Sequence, residues 1–488
     1  MSLIARERLG SIASAVDDAH DDLVARDAAK RMWAGDHTLW QDDPTEVADR
    51  LGWLHVPTEL RDADLAIEHR GRIALCGMGG SSLFPEVLAR SFPSSTELLV
   101  LDTTDPAAIA RVPVDGTTFV IASKSGGTIE TASQLAHFWD ATGADASQFV
   151  AITDPGTALA DLAHERRFQR VFENRADIGG RYSALSYFGL VPGAALGLDV
   201  EDLLLEPARA VDDADGVRLA AILGAAAKAG RDKVTLLLPP EIATFGLWVE
   251  QLVAESTGKH GTGLVPIVGE PLGQPDVYGD DRIFVATVDA PGLDDLVAAG
   301  HPVVEVEGAL GAIVLLWEQA IALVGVLLGI NPFDQPDVQS AKDATNRVLA
   351  DGLPVIETVA PSDLLGSAQP GDYLAILAFV DPGDRELLSQ LERARVSLRD
   401  RLRIATTIGI GPRFLHSTGQ LHKGGPPTGV FLQLLGDDDT DVGIPGKPFS
   451  FSVLKQAQAA GDLLALQARG LRAGRVTLDA LMEEAGRT

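Results

Sequence analysis

Short apolar runs alternate with segments of helical spacing over most of the chain. The first group of apolar runs ends in Gly, Ser, Thr or Asp turns, as strands of α/β proteins do, and it comprises residues 72–78, 97–102, 117–123 and 149–154. Between these runs, apolar residues recur with the period of amphipathic helices. The alternation predicts an α/β fold with parallel, doubly wound sheets.

A second unit with the same alternation follows the first. Its expected strands lie at 233–239, 282–289 and 303–307. Residues 1–56 have the spacing of amphipathic helices, and the last part of the chain has one clear strand, at 373–380. The pattern therefore predicts N-terminal helices, two α-β-α domains and a C-terminal α/β tail, with the bounds 1–56, 57–200, 201–365 and 366–488.

The most apolar stretch, residues 309–330, is long enough to cross a membrane. Glu318 and Gln319 lie at its centre, where a charged side chain is costly in lipid. We therefore expect a helix buried between protein layers.

Charge narrows the range of partners. The 488 residues carry a formal net charge of −29, which repels nucleic acid and anionic membranes, and we expect neither as a partner. It also repels phosphorylated metabolites, so a phosphate site must be built from local donors. The single cysteine, Cys76, excludes an internal disulfide, and together with the lack of an apolar secretory signal it favours the cytoplasm.

Two turns at strand ends have the composition of anion sites. The first is Gly77–Ser82, and the second is Ser123–Thr128. Glycine allows close backbone approach, and free N–H groups at the start of the next helix face an anion. Helix capping explains the first turn equally well, whereas the four hydroxyls of SKSGGTIET exceed what capping requires. Neither turn has the spacing of a dinucleotide site.

A carboxylate near a helix end is the candidate base. Gln251 and Glu255 are four residues apart on one helix face, and Gly258 is the expected C-cap. The negative end of the helix dipole should raise the pKa of Glu255 toward that of a usable base. Arg181, beside two glycines, has a side chain suited to oxyanions. The spacing of His residues and the lone cysteine predict no metal site.

Five motifs occur in the order GMGGSSL, SKSGGTIET, GGRYSALSYFGL, EQLVAESTGK and GINPFDQPDVQSAK. Over residues 70–350 or so, they resemble the glucose-6-phosphate isomerase family. The flanks, with DHTLW near the start and GPRFLHSTGQLHKGGP near the end, resemble the isomerase half of bifunctional transaldolase/glucose-6-phosphate isomerases. The resemblance implies two sugar-isomerase (SIS) domains, each an α-β-α sandwich, with a sugar phosphate between them.

The resemblance also assigns roles motif by motif. It implies sugar contacts for Gly80 and Ser81, and a phosphate cradle of Ser123, Lys124, Ser125 and Thr128. It implies that Glu255 is the base and that Arg181 stabilises the enediolate. The pocket would be completed by Gln251, Gln335 and the catalytic Lys342.

One motif is displaced relative to the family. The ring-opening histidine of the family lies in an H-x-x-x-Q segment between the Glu and FDQ motifs, but residues 256–330 contain only His260 and His301. His416 and Gln420 match that segment after the FDQ motif. The C-terminal segment is therefore expected to return to the site, with His416 as the ring-opening group.

The resemblance implies an aldose–ketose isomerase of glycolysis and gluconeogenesis that needs no cofactor. An isomerase that also accepts mannose 6-phosphate stays open, as does a homodimer that shares its histidine across subunits. A sugar-phosphate sensor built from SIS domains is the alternative functional class. A sensor needs the phosphate loop but neither Glu255 nor Arg181, so the presence of both favours an enzyme.

Overall fold

The computed structural model describes residues 2–288 and 290–487, which form three β-sheets, parallel except for one edge strand. In spatial order, the first sheet consists of the strands Glu97–Leu101, Arg72–Gly77, Thr117–Ala122, Phe149–Thr153 and Arg170–Glu173. Its helices are Leu83–Ser91, Pro106–Ala110, Ile129–Ala141, Ala158–Arg166 and Tyr187–Ala195.

Alternate residues of the first sheet pack in opposite directions, as the pleat requires. Phe119 and Ile121 join the core under the helix Ile129–Ala141, whereas Val120 joins the core under Tyr187–Ala195. Helices therefore cover both faces of the sheet. This is the α-β-α layering that the sequence pattern predicts, so the α/β prediction with parallel sheets is confirmed.

The second sheet has the spatial order Ile4–Arg8, Val303–Val306, Arg282–Thr287, Lys233–Leu237 and Val265–Ile267. Its main helices are Asp213–Lys228, Phe245–Thr257, Leu293–Ala298 and Leu310–Leu328. The expected strand 282–289 ends early in the sheet, and its last residue, Asp289, lies outside the described residues, as do Met1 and Thr488.

The start of the chain corrects one prediction. Residues 4–8 form an edge strand antiparallel to Val303–Val306, and helices begin only afterwards, at Ala13–Ala25 and Ala28–Trp33. The strand is fixed by charge pairing that a helical wheel cannot reveal, since Arg8 Nη2 lies 2.8 Å from the buried Glu305 carboxylate. The N-terminal segment is thus part of the second sheet.

The apolar stretch is the helix Leu310–Leu328, long and apolar enough to cross a membrane, with 83% of its apolar window buried inside the protein. It packs against Asp213–Lys228 and against the helix that carries Glu255. Glu318 at its centre is buried, and burial raises its pKa well above the ordinary value. The upward shift favours the uncharged carboxyl, the form that is less costly to bury.

The C-terminal part contains more structure than the pattern predicts. Its sheet has the order Ala405–Ile410, Tyr373–Phe379, Gly429–Leu435 and Arg472–Arg475. Its helices include Pro361–Leu365, Arg385–Leu402, Gly419–Gly424, Phe451–Ala468 and Leu478–Ala485. Sequence reasoning found one of these four strands. Threonines and a glycine interrupt the apolar pattern of Ala405–Ile410, a glutamine interrupts that of Gly429–Leu435, and Arg472–Arg475 is short and carries two arginines. The helix Val338–Asp351 connects this third unit to the second.

Candidate active site

The hydroxyl-rich turn lies at the carboxyl edge of the first sheet. It follows the strand Thr117–Ala122, and Ser123 Oγ lies 3.0 Å from Thr128 Oγ1. Thr128, the N-cap of the helix that starts at Ile129, makes no side-chain capping hydrogen bond, so backbone N–H groups at this helix end can face an anion, although the Glu130 carboxylate takes up its own N–H. A cavity of about 220 Å³ opens at the turn, lined among others by Ser125, Gly127, Thr128, Glu130, Lys342 and His416.

Lys124 points away from this cavity. Its Nζ donates to Asp154 Oδ2 at 2.5 Å and to the carbonyl oxygen of Ala176 at 3.2 Å. Burial raises the pKa of Asp154, although the neighbouring ammonium opposes the shift. Among the described lining residues of the cavity, the positive charge comes from Lys342.

The first glycine turn brings three segments close together. A Cβ on Gly80 would lie 1.9 Å from the carbonyl oxygen of Gly180, and one on Gly79, which has a φ of +54°, would lie 2.7 Å from that of His416. Only glycine permits both approaches. The turn, with the buried Ser81, therefore positions the Arg181 and His416 segments rather than serving only as a cap.

The candidate base lies in the last turn of the helix Phe245–Thr257. Glu255 is 6% exposed, and its Oε2 lies 3.3 Å from Arg181 Nε and accepts a hydrogen bond of 3.2 Å from Gln251 Nε2. Burial raises the pKa of Glu255, while the positive charges of Arg181, His416 and Lys259 and the Gln251 hydrogen bond partly oppose the shift. Burial, rather than the helix dipole, is thus the main cause of the expected upward shift.

Two buried cations hold the turn that follows the apolar helix. Arg181 donates from Nη1 to the carbonyl oxygen of Pro332 at 3.0 Å and from Nη2 to that of Asp334 at 3.1 Å. Lys259 Nζ donates to the carbonyl and carboxylate oxygens of Asp334, both at 2.6 Å. Burial, with the charge of Arg181, lowers the pKa of Lys259 to about 8. Sequence reasoning missed Lys259, four residues beyond Glu255.

His416 reaches the site from the third unit of the same chain. Its Nε2 lies 2.8 Å from Glu130 Oε1, and its carbonyl oxygen accepts a hydrogen bond of 2.9 Å from Gln251 Nε2. Burial would raise the pKa of Glu130, but the charges of His416 and Lys342 and the His416 hydrogen bond outweigh it and lower the pKa. Gln251 therefore links the base to the His416 segment. Glu130 is a second missed residue, although it directly follows the hydroxyl-rich turn.

The other candidates divide into two groups. Lys342 lines the cavity, whereas Gln335 is exposed and contributes nothing to the lining. His422 is buried against aromatic rings, which lowers its pKa to about 3, and His301 packs on Tyr278 and Phe284. Within residues 2–288 and 290–487, no group of His, Cys, Asp and Glu side chains is arranged to hold a metal ion.

Comparison with known proteins shows which family this chain resembles. A family model described as phosphoglucose isomerase matches residues 66–218. A glucose-6-phosphate isomerase from Thermosynechococcus vestitus is 29% identical over 405 residues, which cover 68% of this chain and 74% of the relative. A probable glucose-6-phosphate isomerase from Haloarcula marismortui is 30% identical over 362 residues, which cover 59% of this chain and 80% of the relative.

A solved structure shares the fold. The crystal structure of a glucose-6-phosphate isomerase from Chlamydia trachomatis superposes with a TM-score of 0.53 at 19% identity, over 69% of this chain and 86% of that chain. At this identity, the likeness concerns the architecture alone. It agrees with the α-β-α layering of the first two units.

Proposed function

Because the chain belongs to the phosphoglucose isomerase family, we infer that it is an aldose–ketose isomerase that interconverts glucose 6-phosphate and fructose 6-phosphate. The observation that carries the assignment is the cluster around Glu255. A buried carboxylate lies beside Arg181 and is linked through Gln251 to the His416 segment. The hydroxyl-rich turn next to that segment supports a phosphorylated substrate.

Glu255 is the proposed proton carrier. It removes the C2 proton of the open-chain aldose, the C–H electron pair forms the C1–C2 double bond of an enediolate, and O1 takes the negative charge. A proton moves from O2 to O1, the electron pair on O2 forms the C2 carbonyl, and return of the proton from Glu255 to C1 gives the ketose. Burial raises the pKa of Glu255, which makes its carboxylate a stronger base than an exposed one.

The enediolate charge needs nearby positive groups. Arg181 and Lys259 are both buried within reach of the Glu255 carboxylate, where water screens their charges weakly. Because Nη1 and Nη2 of Arg181 already bond to backbone carbonyls, its contribution is a fixed charge rather than a mobile clamp. Such a preorganised charge stabilises the intermediate without reorganisation cost.

Phosphate binding follows from the cavity at the hydroxyl-rich turn. Ser125 and Thr128 offer hydroxyl donors, the uncapped start of the helix Ile129–Ala141 offers N–H groups, and Lys342 offers a charge. These local donors offset the repulsion from a net charge of −29. The family roles of Lys124 and Gln335 require movement, since Lys124 is paired with Asp154 and Gln335 faces outward.

Ring opening is assigned to His416, which lines the cavity and is oriented by Glu130. An imidazole suits proton transfer between the ring oxygen and the anomeric hydroxyl, because its unperturbed pKa is near 6.5. Since His416 comes from the same chain as Glu255, a single subunit suffices for the reaction, and a homodimer would not need to share this residue.

A coupled assay tests the function directly. Purified protein with fructose 6-phosphate should form glucose 6-phosphate, detected through a dehydrogenase that reduces NADP, and no added metal or cofactor should be needed. Mannose 6-phosphate in the same assay measures selectivity at C2. A protein that binds sugar phosphates but turns none over would instead be a sensor.

A further inference from the structure

Gln420 lies where the three units of the chain meet. It is fully buried on the short helix Gly419–Gly424, four residues after His416. Its Nε2 donates to the carbonyl oxygen of Gly258 at 3.0 Å and to Asp337 Oδ2 at 2.7 Å, and its Oε1 accepts from the backbone N–H of Asp337 at 2.9 Å. All three contacts lie in other parts of the fold.

The hydrogen bonds of Gln420 connect elements that each carry a residue of the candidate site. Gly258 caps the helix whose last turn holds Glu255. Asp337 precedes the helix Val338–Asp351, which places Lys342 at the cavity. The third element is Gln420's own segment, which contains His416. One amide therefore ties together the elements of the base, the cavity lysine and the ring-opening histidine.

The chemistry of the contacts requires an amide. Asp337 presents both an acceptor, its carboxylate, and a donor, its backbone N–H, and Gly258 presents a second acceptor. A glutamine side chain offers two N–H donors and one acceptor oxygen and satisfies all three, whereas an ionised glutamate offers acceptors only. Leaving such buried groups unpaired is costly, so the amide holds the three elements firmly.

Neighbouring residues reinforce this junction. Arg469 donates to Asp337 Oδ1 at 2.7 Å and to the carbonyl oxygen of Lys423 at 2.6 Å. A Cβ on Gly258 would lie 2.5 Å from Leu421 Cα, so only glycine lets the Gln420 helix approach the end of the Glu255 helix. The close packing leaves little freedom for the elements to move independently.

We propose that Gln420 is a positioning residue for the isomerisation, which sets the distances between Glu255, His416 and Lys342 without contacting the substrate. This role rests on the proposed function. Displacing a catalytic group by about 1 Å can cost about a hundredfold in rate. Loss of the amide should therefore lower kcat more than it weakens substrate binding, since Lys342 is one of several proposed phosphate donors and the others lie in the first unit.

The test uses Gln420→Met, which keeps the side-chain length and removes all three hydrogen bonds. We expect kcat for fructose 6-phosphate to fall about ten- to a hundredfold, with affinity for 6-phosphogluconate, a phosphorylated acid that cannot isomerise, within about threefold of wild type. With glucose 6-phosphate deuterated at C2, the product should retain less deuterium, because a displaced base exchanges its proton with solvent before returning it to C1.

The matched control is Gln433→Met. Gln433 is also fully buried in the third unit, where it donates to the carbonyl oxygen of Ala459 at 2.8 Å and accepts from Arg475 Nη2 at 2.7 Å. It should lower the melting temperature as Gln420→Met does, yet leave kcat within about twofold of wild type and deuterium retention unchanged. If both variants give the same kcat and retention, Gln420 is only structural.

A second variant covers the case in which Gln420→Met fails to fold. Asp337→Ala removes one partner of the amide at a half-buried position and should reduce kcat and deuterium retention in the same direction, by a smaller factor. Wild-type retention in this variant would overturn the positioning role while leaving the proposed function intact. If the wild-type protein itself fails to interconvert the two sugar phosphates, the function is wrong and the positioning role falls with it.

Discussion

The first and second sheets share an architecture, but their carboxyl edges differ. At the first, the strand Thr117–Ala122 leads into a turn of hydroxyls and glycines beside an uncapped helix. At the second, Leu236, Val285 and Val306, at or near the strand ends, line an apolar cavity of about 480 Å³. Ligands of open α/β sheets bind at carboxyl edges, and among the described residues the cluster of hydroxyl donors suited to a phosphate lies at the first edge.

The second unit contributes to the site from a different place. Its helix Phe245–Thr257 presents Glu255 at its C-terminal end, and its apolar helix ends at the turn held by Arg181 and Lys259. In the proposed function, the first unit supplies the hydroxyl-rich turn and Arg181, and the second supplies Glu255, Lys259 and Lys342. The same layered fold serves two tasks, because different termini of its elements carry the polar residues.

Removing the base should have the largest effect. Glu255→Gln keeps the shape of the side chain and loses its basicity, so we expect turnover to fall by about a hundredfold or far more. Binding of a phosphorylated inhibitor should change little, since the proposed phosphate site lies at the hydroxyl-rich turn of the first unit. Isotope exchange at C2 with solvent is the direct measure, and exchange at the wild-type rate would contradict the assignment.

A second buried carboxyl in the same unit provides the control. Glu318 lies in the helix Leu310–Leu328, and burial raises its pKa well above the ordinary value. Glu318→Gln keeps the shape of the side chain at a position without a proposed role in the reaction, and should leave turnover close to wild type. Equal losses in the two variants would mean that the second unit is sensitive to any change of a buried carboxyl.

The imidazole of His416 should matter mainly for cyclic substrates. His416→Ala should slow turnover of glucose 6-phosphate by about a hundredfold, the usual contribution of a general acid–base group. A four-carbon sugar phosphate esterified at its terminal oxygen cannot close a furanose ring, so its isomerisation should be much less affected. Equal losses on both substrates would indicate a positioning role, and no loss on either would return ring opening to His301 or His260.

The contrast between the two edges predicts where phosphate affinity resides. Ser125→Ala with Thr128→Ala should weaken binding of inorganic phosphate, since each hydrogen bond to a charged acceptor contributes about 1.5–3 kcal/mol. Thr287→Ala, which removes a hydroxyl from the second edge, should leave the affinity unchanged. Calorimetry measures both, and an unchanged affinity in the double variant would place the phosphate elsewhere.

The candidate residues of the first edge and the candidate base could be picked out from the sequence because each set is local in the chain. Hydroxyls cluster within SKSGGTIET, and the spacing of Gln251 and Glu255 follows from one helical turn. The orientation of Lys124 could not be predicted, because its partner, Asp154, follows a different strand. Glu130 and Lys259 were missed because their importance comes from burial and contacts, which only the folded chain reveals.

The sequence pattern did not predict the edge strand or most of the third sheet, for a related reason. Ile4–Arg8 pairs with Val303–Val306, almost three hundred positions away, and no local pattern reports such a partner. The strand Gly429–Leu435 contains Gln433, whose buried amide is satisfied by the carbonyl oxygen of Ala459. Tertiary context thus overrides local propensity at both places.

The smallest expected effect is a shift in the pH dependence of kcat/KM. It tests whether Lys259 of the second unit supplies a positive charge beside Glu255. Activity requires the Glu255 carboxylate, so kcat/KM should fall as the pH decreases through the pKa of Glu255 in the free enzyme. Because burial raises this pKa, the fall should occur at higher pH than for an exposed carboxylate. The charge of Lys259 lowers the same pKa of Glu255. With its own pKa of about 8, Lys259 is mostly charged at pH values below that.

Lys259→Met removes that cation and should move the acidic limb of the kcat/KM profile to higher pH, because the carboxylate loses a stabilising charge. The control is Lys233→Met, which removes an equally buried lysine that pairs with Asp232, in a strand away from the site. It should destabilise the protein but leave the limb in place. A shift toward lower pH in Lys259→Met would contradict the charge assignment, and an unshifted limb would mean that Arg181 alone sets the field at the base.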